Sequence, residues 1–386
     1  MRLRIINTQK HIFHYWIDPI KPNMEFFTNM KIIAEVGVNH NGSIDAALEL
    51  VKAAKDAGAD IVKFQLFDAD QLVQKHTPVA AYQAANDGRH QTQYEMLKAL
   101  ELSYDEHIQI KRYCDEIGIK YLATAFDGRS LQFLADELKQ NIFKIASGEI
   151  TNGPFIEQHV KTGGHIVLST GMSTIGEIEA ALSLISFFLL NPGGTPTGQN
   201  VKRAFREIMP LGILAEKVTL LHCSSEYPAS LESVHLHSMK TIGNSFGLPY
   251  GYSDHTIGLE VSICAAALGA SVIEKHFTLD KSANGPDHAA SITPTELKEL
   301  VTAVRNVEIA LGSKVKLPSD AELDNSDLAR KSIVAAETIS KGDIFNKDNL
   351  TTRRPGQGIS PMRYWDLLGK KASRDYFSGE MLDDFA

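Results

Sequence analysis

Eight short apolar runs, each followed by a segment with helical spacing, recur from Lys31 onward and leave few folds open to this chain. The runs are Ile32 to Val38, Ile61 to Leu66, Tyr121 to Ala125, Ile142 to Ala146, Ile166 to Ser169, Val218 to His222, Tyr250 to Ser253 and Val272 to Lys275. Helical patterns follow them, among them Ile44 to Ala57, Ser130 to Leu138, Ile175 to Phe188 and Pro294 to Leu311. Near-continuous apolar character suits parallel strands covered on both faces. Eight βα units predict an α/β fold of the (β/α)8 TIM-barrel type, whereas a doubly wound open sheet needs fewer strands and a reversal of strand order.

The 386 residues, 43% of them hydrophobic, suffice for one large domain and a small one. The pattern divides into a peripheral extension over 1–29, a barrel over 30–312, a linker over 313–327 and a small, mostly β module over 328–386. In the extension Lys10, His11, His14 and Asp18 interrupt the apolar residues, so no secretory h-region can be drawn; Met24 and Met30, just ahead of the first strand, are expected alternative starts. The linker carries Pro318, serines and acids without periodicity. The polar stretch Asp68 to Thr92 follows the second strand and is expected to form a lid or substrate loop. Asn191 to Ala215, with its Pro-Gly-Gly-Thr-Pro, is expected as a decorative insertion at the opposite end.

A formal charge of −8 gives no long-range attraction for nucleic acid or an anionic membrane, and no run approaches the roughly 18 apolar residues of a membrane span. Cys114, Cys223 and Cys264 are few, odd in number and set in apolar runs, as expected of buried free thiols in a reducing cytoplasm.

In such barrels chemistry sits where the strands end. Polar residues gather there: Glu35 with Asn39 and His40, Lys63 with Gln65, Thr124, Lys144 with Ser147 and Glu149, Ser169 with Thr170, His222, Ser253 to His255, and His276. His255 and His276 close consecutive strands joined by one helical segment, Gly258 to Gly269, and therefore emerge on one edge. Either alone is as readily an ordinary packed histidine. Together they suit a divalent metal such as Mn, Fe, Co or Zn, with positions left open for water and substrate. Lys63 and Lys144, with Ser147, Ser169 and Ser253 around them, describe a phosphate or carboxylate pocket. A rival reading makes one lysine a Schiff-base nucleophile, as in barrel aldolases. Glu35, Glu149, Glu274 and Asp287 offer carboxylates for proton transfer or hydroxyl recognition, or as ion-pair partners of the lysines. A non-enzymatic carrier with a sugar- or ice-binding tail has no need of a polar rim spread over most strands.

Ala34-Glu35-Val36-Gly37-Val38-Asn39-His40-Asn41-Gly42, Val62-Lys63-Phe64-Gln65, Lys144-Ile145-Ala146-Ser147-Gly148-Glu149, Leu168-Ser169-Thr170-Gly171-Met172, Ser253-Asp254-His255, Glu274 to Asp280 and Gly285-Pro286-Asp287-His288 resemble the sialic acid synthase family. Arg353 to Gly358 resembles that family's antifreeze-like (SAF) domain. The resemblance implies a metal-dependent condensation of phosphoenolpyruvate with an N-acetylated hexosamine and water, releasing phosphate. It implies that His255 and His276 hold Mn or Mg, and that Lys63, Lys144, Ser147, Ser169 and Ser253 bind phosphoenolpyruvate. Gln65, Thr124, Phe126, Glu149, Tyr227 and Asp287 would face the sugar, and Arg354 would reach its acetamido group across a domain-swapped homodimer. Glu35 and Glu274 are the candidates for accepting the proton of water. The tail and the Glu274 to Asp280 stretch look most like versions that use N-acetylmannosamine and give N-acetylneuraminate. A diacetamido-trideoxy sugar giving legionaminate is the alternative.

Overall fold

The computed structural model describes residues 29–80, 83 and 91–383. The expected extension, save for Asn29, and the middle of the expected lid lie outside the described residues. Those described form two compact units, one ending at Leu311 and the other beginning at Gly312.

All eight expected strands form: β1 Lys31–Gly37, β2 Ile61–Leu66, β3 Lys120–Ala125, β4 Ile142–Ile145, β5 His165–Ser169, β6 Val218–His222, β7 Tyr250–Asp254 and β8 Val272–His276. They are parallel and hydrogen-bonded in the order β3-β2-β1-β8-β7-β6-β5-β4. β3 and β4 lie side by side without a shared ladder, so the barrel is nearly closed. Each apolar run is covered twice, by the barrel interior and by helices outside. The helix Ile44–Ala57 shows how the outer layer forms. Ser43 caps its start by accepting from the Ala46 amide, and Ala47, Leu50, Val51, Ala54 and Ala57 make its buried stripe.

The interior is layered by the two-residue period of a strand. Ile33, Ile61, Leu122, Ile142, Val167, Leu221 and Val272, one from every strand but β7, form a buried apolar floor. β7 supplies Gly251 at this level, because a Cβ there would fall 2.8 Å from Leu221 Cδ2 and 2.3 Å from the Val272 carbonyl oxygen. Two residues further along each chain stand Glu35, Lys63, Thr124, Lys144, Ser169, Cys223, Ser253 and Glu274, all buried. A ring of polar groups thus rests directly on the apolar floor, and that ring is the base of the barrel mouth.

Four expectations change. Asn191 to Ala215 is not decorative: its helix Gly198–Ile208 buries Ala204 and Ile208, and these join Leu214 in a core cluster with Ile178, Ile185 and Leu220. The helix between the two histidines is shorter than expected, Glu260–Ala267, and its apolar composition extends to the outward side. Cys264 lies on that side and is exposed, while Cys114 and Cys223 are buried as expected. The linker, expected over 313–327 for its want of periodicity, holds most of the helix Asp320–Ala329. It buries nothing, and a capping box of Ser319 and Glu322 nucleates it, a local signal that periodicity does not register.

The second unit pairs β9 Ser332–Ala335 with β10 Leu350–Arg353 in an antiparallel ladder. Its own core contains Ile333, Ile339, Phe345, Leu350, Leu367 and Tyr376. No helix among the described residues is long and apolar enough to cross a membrane.

Two histidines of the barrel wall are held neutral. His107 Nδ1 meets the Tyr121 hydroxyl at 2.7 Å, and His159 Nδ1 donates to the Phe155 carbonyl at 2.9 Å. Burial pushes their pKa values down to about 3 and about 4. An unfolded chain takes up these protons below about pH 6.5 while the folded chain refuses them. The stabilisation is therefore complete above that pH and is lost as pH falls toward the native values, at roughly 1 kcal/mol per pH unit per histidine. Thermal unfolding between about pH 7 and pH 5 should show a falling midpoint, with a shallower fall for His159→Gln; an equal slope in the two proteins would contradict this assignment.

Candidate active site

Four charges on four strands form the base of the mouth. Lys63 Nζ on β2 lies 2.7 Å from Glu35 Oε2 on β1 and 3.7 Å from Glu274 Oε2 on β8. Lys144 Nζ on β4 reaches both oxygens of Glu274, at 2.8 and 2.9 Å. The Ser253 hydroxyl on β7 donates to Glu274 Oε1 at 2.8 Å, Thr124 accepts from Lys63 at 3.4 Å, and Gln65 donates to Glu35 at 3.4 Å. Register accounts for the meeting. Glu35 faces Lys63 across β1 and β2, and Ser253 faces Glu274 across β7 and β8. The mouth is therefore not the bare cationic cradle that the two lysines suggest. Unpaired ammonium groups with almost no solvent contact would be prohibitively costly, and two carboxylates neutralise them.

The two carboxylates differ in their surroundings. Burial raises Glu35 above the ordinary carboxylate range, and the negative charge of Glu274 adds to the rise, more than Lys63 offsets. Burial alone would raise Glu274 too, but Lys144 and Lys63 together hold it well below that range. Asp287, buried in the loop after β8, is pushed up to about 7 by burial and then by Glu35. A bulge at the end of β1 brings the backbone into this group: Gly37 has φ +55, and a Cβ there would lie 3.3 Å from Gln65 Nε2 and Glu35 Oε1.

Above the charges stand the two imidazoles, their ring centroids 5.5 Å apart. β7 and β8 run in register through Asp254 and Lys275, and the histidines are the next residue on each chain. Tyr227 stacks on His255 at 4.1 Å and meets His276 edge-on at 5.5 Å. Burial lowers His255 to about 4 and His276 well below its ordinary value, so both rings are neutral near pH 7. His255 Nδ1 donates to the Ser224 carbonyl, which turns the bare lone pair of Nε2 toward Ser253. His276 Nδ1 is buried without a hydrogen-bond partner, its nearest acid being Asp287 Oδ2 at 3.8 Å. Two neutral rings with unspent lone pairs fit a divalent cation. Among the described residues no group of three or more His, Cys, Asp or Glu side chains is arranged to hold one, so a cation here would complete its shell with water and substrate.

The remaining expected residues are more dispersed. Ser147, in a single turn after β4, accepts from the Gly171 amide at 3.0 Å and touches Cys223 Sγ at 3.2 Å. Ser169 is buried at the end of β5, half-buried Phe126 packs edge-on to Phe67, and Glu149 accepts from Asn152 at 2.7 Å. These three make no hydrogen bond to the charged cluster. Arg354 is exposed in the second unit, next after β10. Two features of the site were not expected from the sequence: Cys223 as a member of the inward ring, and the Ser224 carbonyl as the group that orients His255. The first was legible as the residue two places beyond Leu221; a main-chain acceptor leaves no such trace.

A parallel barrel with acids, ammonium groups and neutral imidazoles converging at its carboxyl edge is built as an enzyme. The NeuB family model matches residues 50–316 and the SAF domain model residues 330–384. The chain is 43% identical over 351 residues to an N,N'-diacetyllegionaminic acid synthase of Campylobacter jejuni, covering 91% of this chain and 98% of that one. The N-acetylneuraminate-9-phosphate synthase of Homo sapiens is 34% identical, with 88% of each chain covered. Among solved structures, the N-acetylneuraminic acid synthetase of Leptospira borgpetersenii superposes with a TM-score of 0.62 at 30% identity, covering 77% of this chain and 90% of that one. The chain belongs to the NeuB family, the sialic-acid-type synthases, and carries a C-terminal SAF domain.

The ion cluster makes a stability prediction. Lys144→Met leaves Glu274 a buried carboxylate short of its main partner and should cost about 3–5 kcal/mol in denaturant unfolding. Lys144→Met combined with Glu274→Gln restores neutrality, with Lys63 still on Glu35, and should recover much of that loss. Equal losses in the single and double variants would contradict the pairing.

Proposed function

We propose that the chain condenses phosphoenolpyruvate with the open-chain aldehyde of a 2,4-diacetamido-2,4,6-trideoxymannose and with water, giving a legionaminate-type sugar acid and phosphate. The observation that carries the reaction class is the convergence of paired ammonium groups with two neutral, lone-pair-bearing imidazoles at one barrel mouth. The sugar follows from the relatives. Those at 43% and 42% identity, from Campylobacter jejuni and Legionella pneumophila, are named N,N'-diacetyllegionaminic acid synthases, against 34% for the N-acetylneuraminate-9-phosphate synthase of Homo sapiens. This order favours the diacetamido sugar over the N-acetylmannosamine expected from the motifs.

Lys63 and Lys144 exchange part of their carboxylate contacts for the carboxylate and phosphate of phosphoenolpyruvate, with Ser147, Ser169 and Ser253 donating hydroxyl hydrogen bonds. His255 and His276 would hold a divalent cation, Mn or Mg, which would supply Lewis acidity toward the aldehyde. Tyr227 keeps the imidazoles in place and excludes water from their outer side. The enol carbon then bonds to the aldehyde carbon while the carbonyl π pair passes to the aldehyde oxygen, which takes a proton and becomes the new hydroxyl. Water adds to the former enol-ester carbon and gives up one proton, and the tetrahedral adduct expels phosphate by C–O cleavage as its hydroxyl yields the second proton to the departing phosphate and becomes the keto group. Of the two acids, Glu35 takes the proton of water: burial lifts its proton affinity above that of an ordinary carboxylate, whereas Lys144 and Lys63 tie Glu274 as an anion. Gln65, Thr124, Phe126, Glu149 and Asp287 line the sugar's side of the mouth, and Arg354 of a second copy in a homodimer meets an acetamido group.

Phosphate release tests the reading. With phosphoenolpyruvate and Mn, the diacetamido sugar should exceed N-acetylmannosamine in kcat/KM by about tenfold or more, since a site built for a second acetamido group leaves polar partners unpaired without it. Chelation should abolish release and added Mn restore it; in the same assay Glu35→Gln should lower kcat about a hundredfold. Preference for N-acetylmannosamine would overturn the substrate, and undiminished release after exhaustive chelation would overturn the role of the imidazoles.

A further inference from the structure

A further buried ion pair lies behind the imidazoles, on the outward face of β7 and β8. Lys275 Nζ is 2.9 Å from Asp254 Oδ2, and both side chains are fully buried. Asp254 and Lys275 are register partners, and each immediately precedes an imidazole, Asp254 before His255 and Lys275 before His276. Strand alternation therefore sends the pair outward while the histidines point into the mouth.

The pair is tied to its surroundings at every polar atom. Asp254 Oδ1 accepts from the Thr256 amide at 2.9 Å and from the Thr256 hydroxyl at 2.7 Å. Asp254 Oδ2 accepts from Ser262 Oγ at 2.6 Å, on the helix Glu260–Ala267. Lys275 Nζ also donates to the Thr256 carbonyl at 2.6 Å. Three of these bonds fall on the residue directly after His255, and the His255 carbonyl itself accepts from the Ala229 amide at 2.8 Å. The backbone on both sides of His255 is thereby locked to the strand that carries His276. Well-packed apolar residues could join two neighbouring strands as firmly. What apolar packing would not supply is a directional clamp with one permitted register.

We propose that Asp254 and Lys275 are positioning residues that set the separation and orientation of the His255 and His276 imidazoles, and through them the affinity for a divalent cation. They touch neither cation nor substrate. The inference rests on the reading of the two imidazoles as metal ligands, and the experiment separates the two claims.

The full chain, stripped of metal, is titrated with Mn2+, following the free ion by electron paramagnetic resonance, and with Co2+, whose visible absorption reports its ligands. The native chain should bind both ions, and the combined His255→Ala and His276→Ala variant should not. Asp254→Asn combined with Lys275→Gln keeps hydrogen-bonding groups and removes both charges. This double variant should bind Mn2+ about tenfold more weakly or worse, with an altered Co2+ spectrum. A merely structural pair would lower the unfolding temperature and leave the affinity of the folded chain alone, so native affinity and spectrum in a folded double variant overturn the proposal. If that variant does not fold, Thr256→Val deletes one hydrogen bond to Asp254 and keeps both charges. It should weaken Mn2+ binding about threefold, and native affinity in it likewise overturns the proposal. A native chain that binds Mn2+ no better than the variant without imidazoles removes the metal reading and, with it, this inference.

Discussion

Two ammonium groups and two carboxylates, shut away from water at the base of the barrel mouth, fix the register of four strands and the character of the site. Lys63, Glu35, Glu274 and Lys144 come from β2, β1, β8 and β4, so no one of these strands can slip in register without stranding a buried charge. Burying ions is a poor way to gain stability. Its value lies in a site that is neutral as a whole and strongly polar in detail, where an anion can exchange with the resident carboxylates. The apolar floor beneath, from Ile33 to Val272, excludes water from below and keeps these interactions strong.

In the proposed reaction, proton chemistry and cation chemistry are separated by one further step along the strands. The charged ring occupies one inward level and the imidazoles the next, two residues on from Ser253 and Glu274. Different environments then give similar groups different tasks. Glu274 is fixed as an anion by its partners, Glu35 is tuned by burial toward accepting a proton, and the histidines are kept neutral with lone pairs to share. Asp254 and Lys275, one residue out of phase and facing away, hold the geometry without entering the mouth.

Much of this was legible in the chain because a strand repeats every two residues. The eight runs, their parallel pairing and the emergence of His255 and His276 on one edge all follow from period and spacing, and the structure meets those expectations. The pairing of Lys63 with Glu35 was open rather than hidden, since opposite charges at neighbouring strand ends were on view while their register was not. Other features rest on information that periodicity does not carry. The helix Asp320–Ala329 depends on a cap, Cys264 faces outward from a helix whose composition is apolar all round, and the Ser224 carbonyl orients His255 without any side chain to announce it. The segment from Asn191 to Ala215 resembled an insertion because of its turn-rich opening, yet Ala204, Ile208 and Leu214 complete a core. The sugar was the least legible part, because neither period nor spacing reports which hydroxyl or acetamido groups a barrel mouth receives.

In the proposed site the charged ring places an anionic enol ester beside the two imidazoles. Phosphorus NMR relaxation of phosphoenolpyruvate in the presence of the native chain and Mn2+ tests it most directly. The native chain should show strong paramagnetic enhancement, and the variant with both His255 and His276 replaced by alanine should lose it. Equal relaxation in the two proteins would contradict it.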